Sequence, residues 1–240
     1  MAVTELWLVR HAESIGNAAA TRAEREGLDV IPLEIRDADV PLSATGREQA
    51  AALATWVADH HEAVDLLYTS PYARARETLG IALQGRSSAP VIIDERLRDR
   101  ELGILDLLTR EGVSRLHPEE ARRRLRLGKY DHRPPGGESW ADVALRLRSF
   151  LGDLSALEAS SAMIVAHDAI VMILLSLLLP WDESELLEFA ASHTVLNASV
   201  THLTRTSGAW SLEQFSDVSH LVDLSVPVTV HPGSPDVEPR

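Results

Sequence analysis

The sequence predicts an α/β protein, a mostly parallel sheet flanked by helices. Three observations carry this. Short apolar runs of strand length, at residues 5–9, 64–68, 91–93 and 162–166, alternate with longer helical segments. The run Ala162-Met163-Ile164-Val165-Ala166 is apolar throughout, as a strand covered on both faces of a parallel sheet requires. All four runs end in polar or charged residues that precede a helix start or a charged loop. The carboxyl end of a strand is where α/β proteins place their ligands.

The totals fit this class. A chain of 240 residues with 45% hydrophobic residues can bury a substantial core. The expected organisation is one domain over residues 1–225, with a helical insertion at about 104–138 and a Pro-rich, disordered tail at 226–240. The formal net charge is -13 and Lys129 is the only lysine, which argues against nucleic acid as a partner. With no cysteine, disulfides, thiolate metal sites and Cys nucleophiles are excluded. The chain runs from Met1 directly into a strand without signal-peptide character. Its longest apolar run, 169–179, is too short to cross a bilayer. The expectation is a soluble cytoplasmic protein with no membrane partner. Its oligomeric state stays open, a homodimer included.

The first strand ends in Arg10-His11 and leads through Ala12-Glu13-Ser14-Ile15-Gly16-Asn17 into a helix start. Helix starts offer free N–H groups to anions. Arg supplies a fork of donors for phosphate oxygens, and neutral imidazole is a nucleophile. The charged segment 18–41 is longer than an ordinary connection and reads as either a lid or a surface loop. A helix follows, with Thr45 and Glu48 in capping-box spacing and His60-His61 at its end, where favourable charge is a better reading than metal binding. The second strand ends in Ser70-Pro71, read as N-cap and first helical residue. That places Arg74 in a first helical turn and points Arg76 to the surface. The third strand precedes the charged loop Leu97-Arg98-Asp99-Arg100-Glu101-Leu102-Gly103, either solvated surface or the carrier of a catalytic carboxylate. Residues 109–127 read as one basic helix, whose arginines form a solvated face. Ser139 is the expected N-cap of the next helix. The apolar fourth strand ends in His167-Asp168 at a helix start, and a hairpin turns at Thr206-Ser207-Gly208.

Four strand ends thus bear Arg10-His11, Arg74, an acidic loop and His167. The pattern resembles the histidine phosphatase superfamily, the phosphoglycerate-mutase-like fold. Arg10-His11-Ala12-Glu13-Ser14 is similar to its "RHGE[ST]" signature, with Asn17 at the asparagine that often follows. The stretch Ser70-Pro71-Tyr72-Ala73-Arg74-Ala75-Arg76-Glu77-Thr78 resembles its "SPxxRAxxT" element. Val165-Ala166-His167 stands where the family has its second histidine. Leu42-Ser43 with Gly46, and Gly136-Gly137-Glu138-Ser139, match auxiliary elements.

The resemblance implies a three-layer sandwich and a metal-independent, cofactor-free hydrolysis of small phosphomonoesters. His11 would become a phosphohistidine while Arg10, Arg74 and a protonated His167 hold the phosphoryl oxygens. Asn17, Glu138 and Asp168 are further candidates for contact with phosphate or substrate. The proton donor is expected at Asp99, four residues before Gly103, with Asp168 second and Glu101 third. Ala12 replaces the usual glycine. That costs about 1 kcal/mol or more if φ must be positive; otherwise the methyl trims the pocket. A phosphomutase and a non-catalytic phospho-ligand module are the alternatives.

Overall fold

The computed structural model describes residues 3–60, 64–84 and 90–231. Six strands form one sheet in the order β3-β2-β4-β1-β5-β6: β1 (Glu5–Arg10), β2 (Leu66–Thr69), β3 (Val91–Ile93), β4 (Ser161–Ala166), β5 (Val200–Thr206) and β6 (Ala209–Asp217). The pairs β1–β4, β4–β2 and β2–β3 are parallel; the β5–β6 hairpin adds two antiparallel strands beside β1.

Alternation along β1 makes the sandwich. Leu6 and Leu8 face one side, Trp7 and Val9 the other. On the first side they pack with Ala162 and Ile164 of β4 against α6 (Trp140–Ser155) and α7 (Asp168–Leu178). On the second, Trp7, Val9, Met163 and Val165 pack against Leu53 and Val57 of α2 (Ala44–His60) and Ala75 and Leu79 of α3 (Ala73–Leu83). All six residues of β4 are buried, as its uninterrupted apolar run requires. The remaining helices among the described residues are α1 (Ile15–Glu26), α4 (Arg110–Leu116), α5 (Pro118–Asp131), α8 (Glu183–Ser192) and α9 (Ser219–Asp223). No described helix is long and apolar enough to cross a membrane.

Local signals explain most boundaries, and several differ from expectation. Ser139 caps α6 in a capping box with Asp142, as predicted. Helix α2 is capped by Ser43, whose Oγ accepts from Gly46 N, not by Thr45. Ser43 is pinned by its own N–H on the Glu13 carbonyl, so the helix begins a residue before the Thr45–Glu48 pair can act. Ser70 likewise lies outside α3, which starts after Tyr72. The basic stretch 109–127 is two helices, broken at His117-Pro118 because proline suits the first turn of a new helix but not the interior of an old one. One of its arginines, Arg124, is buried. His60 bonds the Trp56 carbonyl and stacks on its ring; His61 lies outside the described residues. The tail also departs from expectation. Residues 227–231 return to the start of the chain, where Gln49 Nε2 donates to the Pro227 carbonyl and Thr229 Oγ1, both at 2.9 Å. Residues 232–240 lie outside the described residues.

Candidate active site

The parallel register brings the predicted strand ends together. Arg10 pairs with Ala166 and Thr69 with Val165. The ladder continues one step further, with His11 N donating to the Ala166 carbonyl and Ser70 N to the Val165 carbonyl, both at 2.9 Å. The residues that leave β1, β2 and β4 therefore emerge on one edge. The rings of His11 and His167 lie 5.1 Å apart, centroid to centroid, nearly edge to face.

His11 is buried, and its Nδ1 lies 2.7 Å from the Ala12 carbonyl. A carbonyl can only accept, so Nδ1 carries the proton and Nε2 keeps its lone pair. Burial, reinforced by the positive charges of Arg74, His167 and Arg10, holds its pKa well below the usual imidazole range. The ring is a neutral base with a fixed tautomer.

Arg10 is 2% exposed. Its Nη1 donates to the Val195 carbonyl and its Nη2, at 2.8 Å, to the His231 carbonyl. Its Nε is buried with no partner, an unsatisfied cationic donor. Arg74 is also buried and is ion-paired. Its Nη1 meets Asp37 Oδ1 at 2.9 Å, and its Nη2 meets Asp37 Oδ2 at 3.2 Å and Asp99 Oδ2 at 3.0 Å. Burial pulls this guanidinium's pKa down, but the two carboxylates outweigh it and the net shift is upward. The Arg74 guanidinium also sits 4.9 Å from the centre of the Tyr72 ring.

Both nitrogens of His167 have neighbours. Nε2 lies 2.8 Å from Ser70 Oγ. Nδ1 approaches Asp99 Oδ2 at 3.2 Å without hydrogen-bond alignment. Burial lowers the pKa of His167 while the charge of Asp99 raises it, and the net shift is downward. Asp99 shows the converse balance. Burial pushes its carboxyl up, but His167 and Arg74 hold it well below the usual carboxylate range, and Arg100 N donates to its other oxygen at 2.9 Å. Its side chain retains 28% exposure. Asp99 thus lies between Arg74 and His167, and it is ionised in this arrangement.

The other candidates fall around the cup. Asn17 closes a capping box on Ser14 at the start of α1 and accepts from Asn197 Nδ2 at 3.4 Å, so it fixes the loop after His11. Asp168 is the first residue of α7, half-buried, and its charge acts on Arg10. Glu138 stands behind the cup: it takes Arg98 Nη2 at 2.7 Å, Arg146 Nε at 3.0 Å and Glu101 N at 3.2 Å. This clamps the loop carrying Asp99 rather than presenting a carboxylate to phosphate. Arg146 Nη2 reaches the Asp99 carbonyl itself at 3.2 Å. Gly103 supports the same loop. Its φ is +56°, and a Cβ there would lie 2.1 Å from the Pro135 carbonyl oxygen. Glu101 is exposed at the rim, where it accepts from the Tyr72 hydroxyl at 3.0 Å. Ala12 is not among the residues with positive φ. Its methyl packs with Leu42, Ala50 and Ala198, so replacing glycine here carries no backbone strain.

Sequence reasoning missed four contributors. Asp37, from the 18–41 segment, is the bidentate partner of Arg74. Ser70 orients His167. Thr78 Oγ1 accepts from Ala12 N at 3.0 Å while donating to the Arg74 carbonyl at 2.7 Å, tying the loop after His11 to α3. His231 supports Arg10 through its carbonyl, while its ring bonds Glu13 Oε2 at 2.8 Å and Thr21 Oγ1. Ser70 and Thr78 carried a signal, since both lie in the "SPxxRAxxT" element. Asp37 and His231 carried none.

A parallel sheet whose strand ends converge two histidines, two arginines and an acid defines a class of phosphoryl-transfer protein, and the whole sequence agrees: residues 6–218 match the histidine phosphatase superfamily (branch 1), and the chain belongs to that family. Among its relatives are proteins named "Probable phosphoglycerate mutase GpmB". That of Escherichia fergusonii is 27% identical over 90% of this chain and 94% of its own length. That of Yersinia enterocolitica is 29% identical over the same shares. Similar solved structures include a mycobacterial glucosyl-3-phosphoglycerate phosphatase complexed with VO3, at TM-score 0.72 and 27% identity over 90% of this chain and all of that one. An alpha-ribazole phosphatase from Shigella flexneri, at TM-score 0.73 and 22% identity over 89% of this chain and 96% of its own, shares the fold.

Proposed function

We propose that the protein is a phosphomonoester hydrolase working through a phosphohistidine on His11. The observation that carries the reading is the state of His11: a neutral ring, its Nδ1 proton held on the Ala12 carbonyl and its Nε2 lone pair left for attack. Nε2 forms a bond to phosphorus as the bond to the ester oxygen breaks. The unpaired Nε of Arg10, the Arg74 guanidinium and His167 hold the charge spread over the equatorial oxygens. Asp99 protonates the departing alkoxide, then takes a proton from the water that attacks phosphohistidine, which returns His11 and releases inorganic phosphate.

The low pKa of Asp99 fits this cycle once phosphate is considered. Asp99 Oδ2 bridges Arg74 Nη2 and His167 Nδ1, the contacts a phosphate oxygen would make. A phosphoryl dianion that takes those cations removes what depresses the carboxyl and adds a like charge beside it. Both changes push Asp99 up towards the protonated form a donor needs.

The test is hydrolysis of nitrophenyl phosphate with and without EDTA, by the wild type and by His11→Ala. The expected result is turnover that survives chelation and is lost in the variant, with an acid-labile phosphoenzyme trapped in rapid quench. Activity retained in His11→Ala refutes the reading. The names of the curated relatives favour a second reading, a phosphoglycerate-type mutase. Exchange between 2- and 3-phosphoglycerate outpacing phosphate release would establish it.

A further inference from the structure

The inner and outer parts of this site carry opposite charge. Inside, the buried Nε of Arg10 has no partner, which independently calls for an anion. Outside, carboxylates surround Arg74. Asp37 covers it with both oxygens and with its own carbonyl at 2.7 Å. Its side chain is 43% exposed, against 5% for Arg74, so Asp37 forms the solvent-facing side of the pair. Glu101 is exposed nearby, held by the hydroxyl of Tyr72, whose ring lies against both Arg74 and His167. Burial, followed by the charges of Asp37 and Glu101, raises the carboxyl of Asp106 against the pull of Arg74. Negative charge is thus concentrated at the mouth.

A phosphomonoester must bridge the two zones, with its phosphoryl group on the inner cations and its alcohol at the mouth. We infer that Asp37 is a specificity-determining residue which, with Glu101, makes the site favour phosphomonoesters whose alcohol is cationic or neutral, such as aminoalkyl phosphates, over those whose alcohol bears a carboxylate. The inference rests on the hydrolase reading. A carboxylate in the leaving group meets like charge from Asp37 and Glu101 and gains nothing from Arg74, whose outer donors are already engaged. An ammonium at the same point is attracted by both. Since the mouth is open to water, each rim carboxylate is worth about threefold in discrimination and the two together about tenfold.

The test compares kcat/KM for phosphoethanolamine, glycerol 3-phosphate and 3-phosphoglycerate in the wild type, Asp37→Asn and Glu101→Gln. In parallel, the three compounds compete with labelled inorganic phosphate for the full-length protein. The wild type is expected to prefer phosphoethanolamine over 3-phosphoglycerate by about tenfold, and each variant to shrink that ratio by about threefold. The ratio should also fall as salt is raised. A wild-type ratio at or below one overturns the inference. So does a loss in Asp37→Asn shared equally by all three esters, because that is the signature of a residue that only positions Arg74. Glu101→Gln, an exposed change, keeps the test decisive if Asp37→Asn misfolds. If no ester is turned over, the hydrolase reading fails by itself, and the competition ratio still decides the charge preference.

Discussion

Replacing Asp99 by Asn separates the proposed role of this residue as a proton donor from its observed role as a partner of Arg74. Asn keeps the size and can still accept from Arg100 N, the 2.9 Å bond that seats the side chain. It can neither donate a carboxyl proton nor pair as an anion with Arg74 Nη2 and His167 Nδ1. General acid catalysis contributes about 10²–10⁴-fold, and all of it is needed when the leaving group is an alkoxide. An alkyl phosphate should therefore lose about 10²–10⁴-fold in kcat/KM. Nitrophenyl phosphate, whose leaving group departs without help, should lose less than about tenfold. Binding should move the other way. Without the competing carboxylate on Arg74, inorganic phosphate should become a stronger inhibitor. The assay is steady-state kinetics on both esters with phosphate inhibition measured alongside. Equal losses on the two esters would refute the assignment and move the donor to Asp168 or Glu101. Weaker phosphate inhibition would refute the idea that Asp99 occupies a phosphate contact.

Gly46→Ala tests how the catalytic loop is supported. A Cβ at Gly46 would lie 1.9 Å from the Glu13 carbonyl oxygen, so α2 or the loop after His11 must shift. The cost should be about 1–3 kcal/mol, read as a lower Tm together with reduced kcat/KM; an unchanged Tm would count against the packing described. Removing residues 227–240 strips Arg10 Nη2, Gln49 and Glu13 of partners. It should raise KM by about ten- to a hundredfold, since a lost bond to a charged group costs about 1.5–3 kcal/mol; an unchanged KM in a folded protein would show that the strap does not position Arg10. On the acid side of neutrality, burial holds His11 below the imidazole range while falling pH protonates more of Asp99. For alkyl phosphates kcat/KM should accordingly rise as pH drops from 7 towards 5, and a fall beginning at pH 6.5 would contradict it. Stability should change in the opposite sense. His11, His132, His167 and His220 all have pKa values lowered by burial, so the unfolded chain binds more protons below about pH 6.5. Their contribution is present above that pH and lost as pH falls through it, giving a lower Tm at pH 5.5 than at pH 8.

What could be read from the sequence was whatever the backbone carries locally. His11, Ser70 and His167 follow directly from β1, β2 and β4, and the parallel ladder sets their spacing before any side chain is considered. Apolar runs and turn residues are enough to place them. Contacts made by bare side chains across long sequence separations left no pattern. Asp37 reaches Arg74 from a segment whose composition is that of any charged loop. Residues 227–231 belong to a tail, 226–240, that reads as Pro-rich and loose as a whole, yet Gln49, Asn197, Glu13 and Arg10 hold them in place. Composition measures how much apolar surface a segment can bury; it says nothing of partners waiting elsewhere. Glu138 erred in the other direction. A carboxylate beside a catalytic loop looks like a ligand, but here two arginines and a main-chain N–H consume it.

These contacts share one electrostatic cause. A cup that must accept a phosphoryl dianion gathers Arg10 and Arg74 under nearly complete burial, and buried cations require compensation. Arg10 obtains it from two main-chain carbonyls, which carry no net charge and leave Nε free. Arg74 obtains it from Asp37 and Asp99, which do carry charge. Asp168 and Asp99 act on Arg10 by their charge alone, whereas at Arg74 an arriving phosphate must compete with carboxylates hydrogen-bonded to the guanidinium. In the proposed mechanism the carboxylate it displaces, Asp99, is the one the reaction then needs protonated, and in the proposed selectivity the one that stays at the mouth, Asp37, sorts the alcohols by charge. Binding, proton loading and selectivity therefore meet at a single guanidinium. Arg74→Lys should confirm this by impairing phosphate inhibition, the leaving-group dependence and the charge ratio together; loss of one without the others would show that they are separate devices.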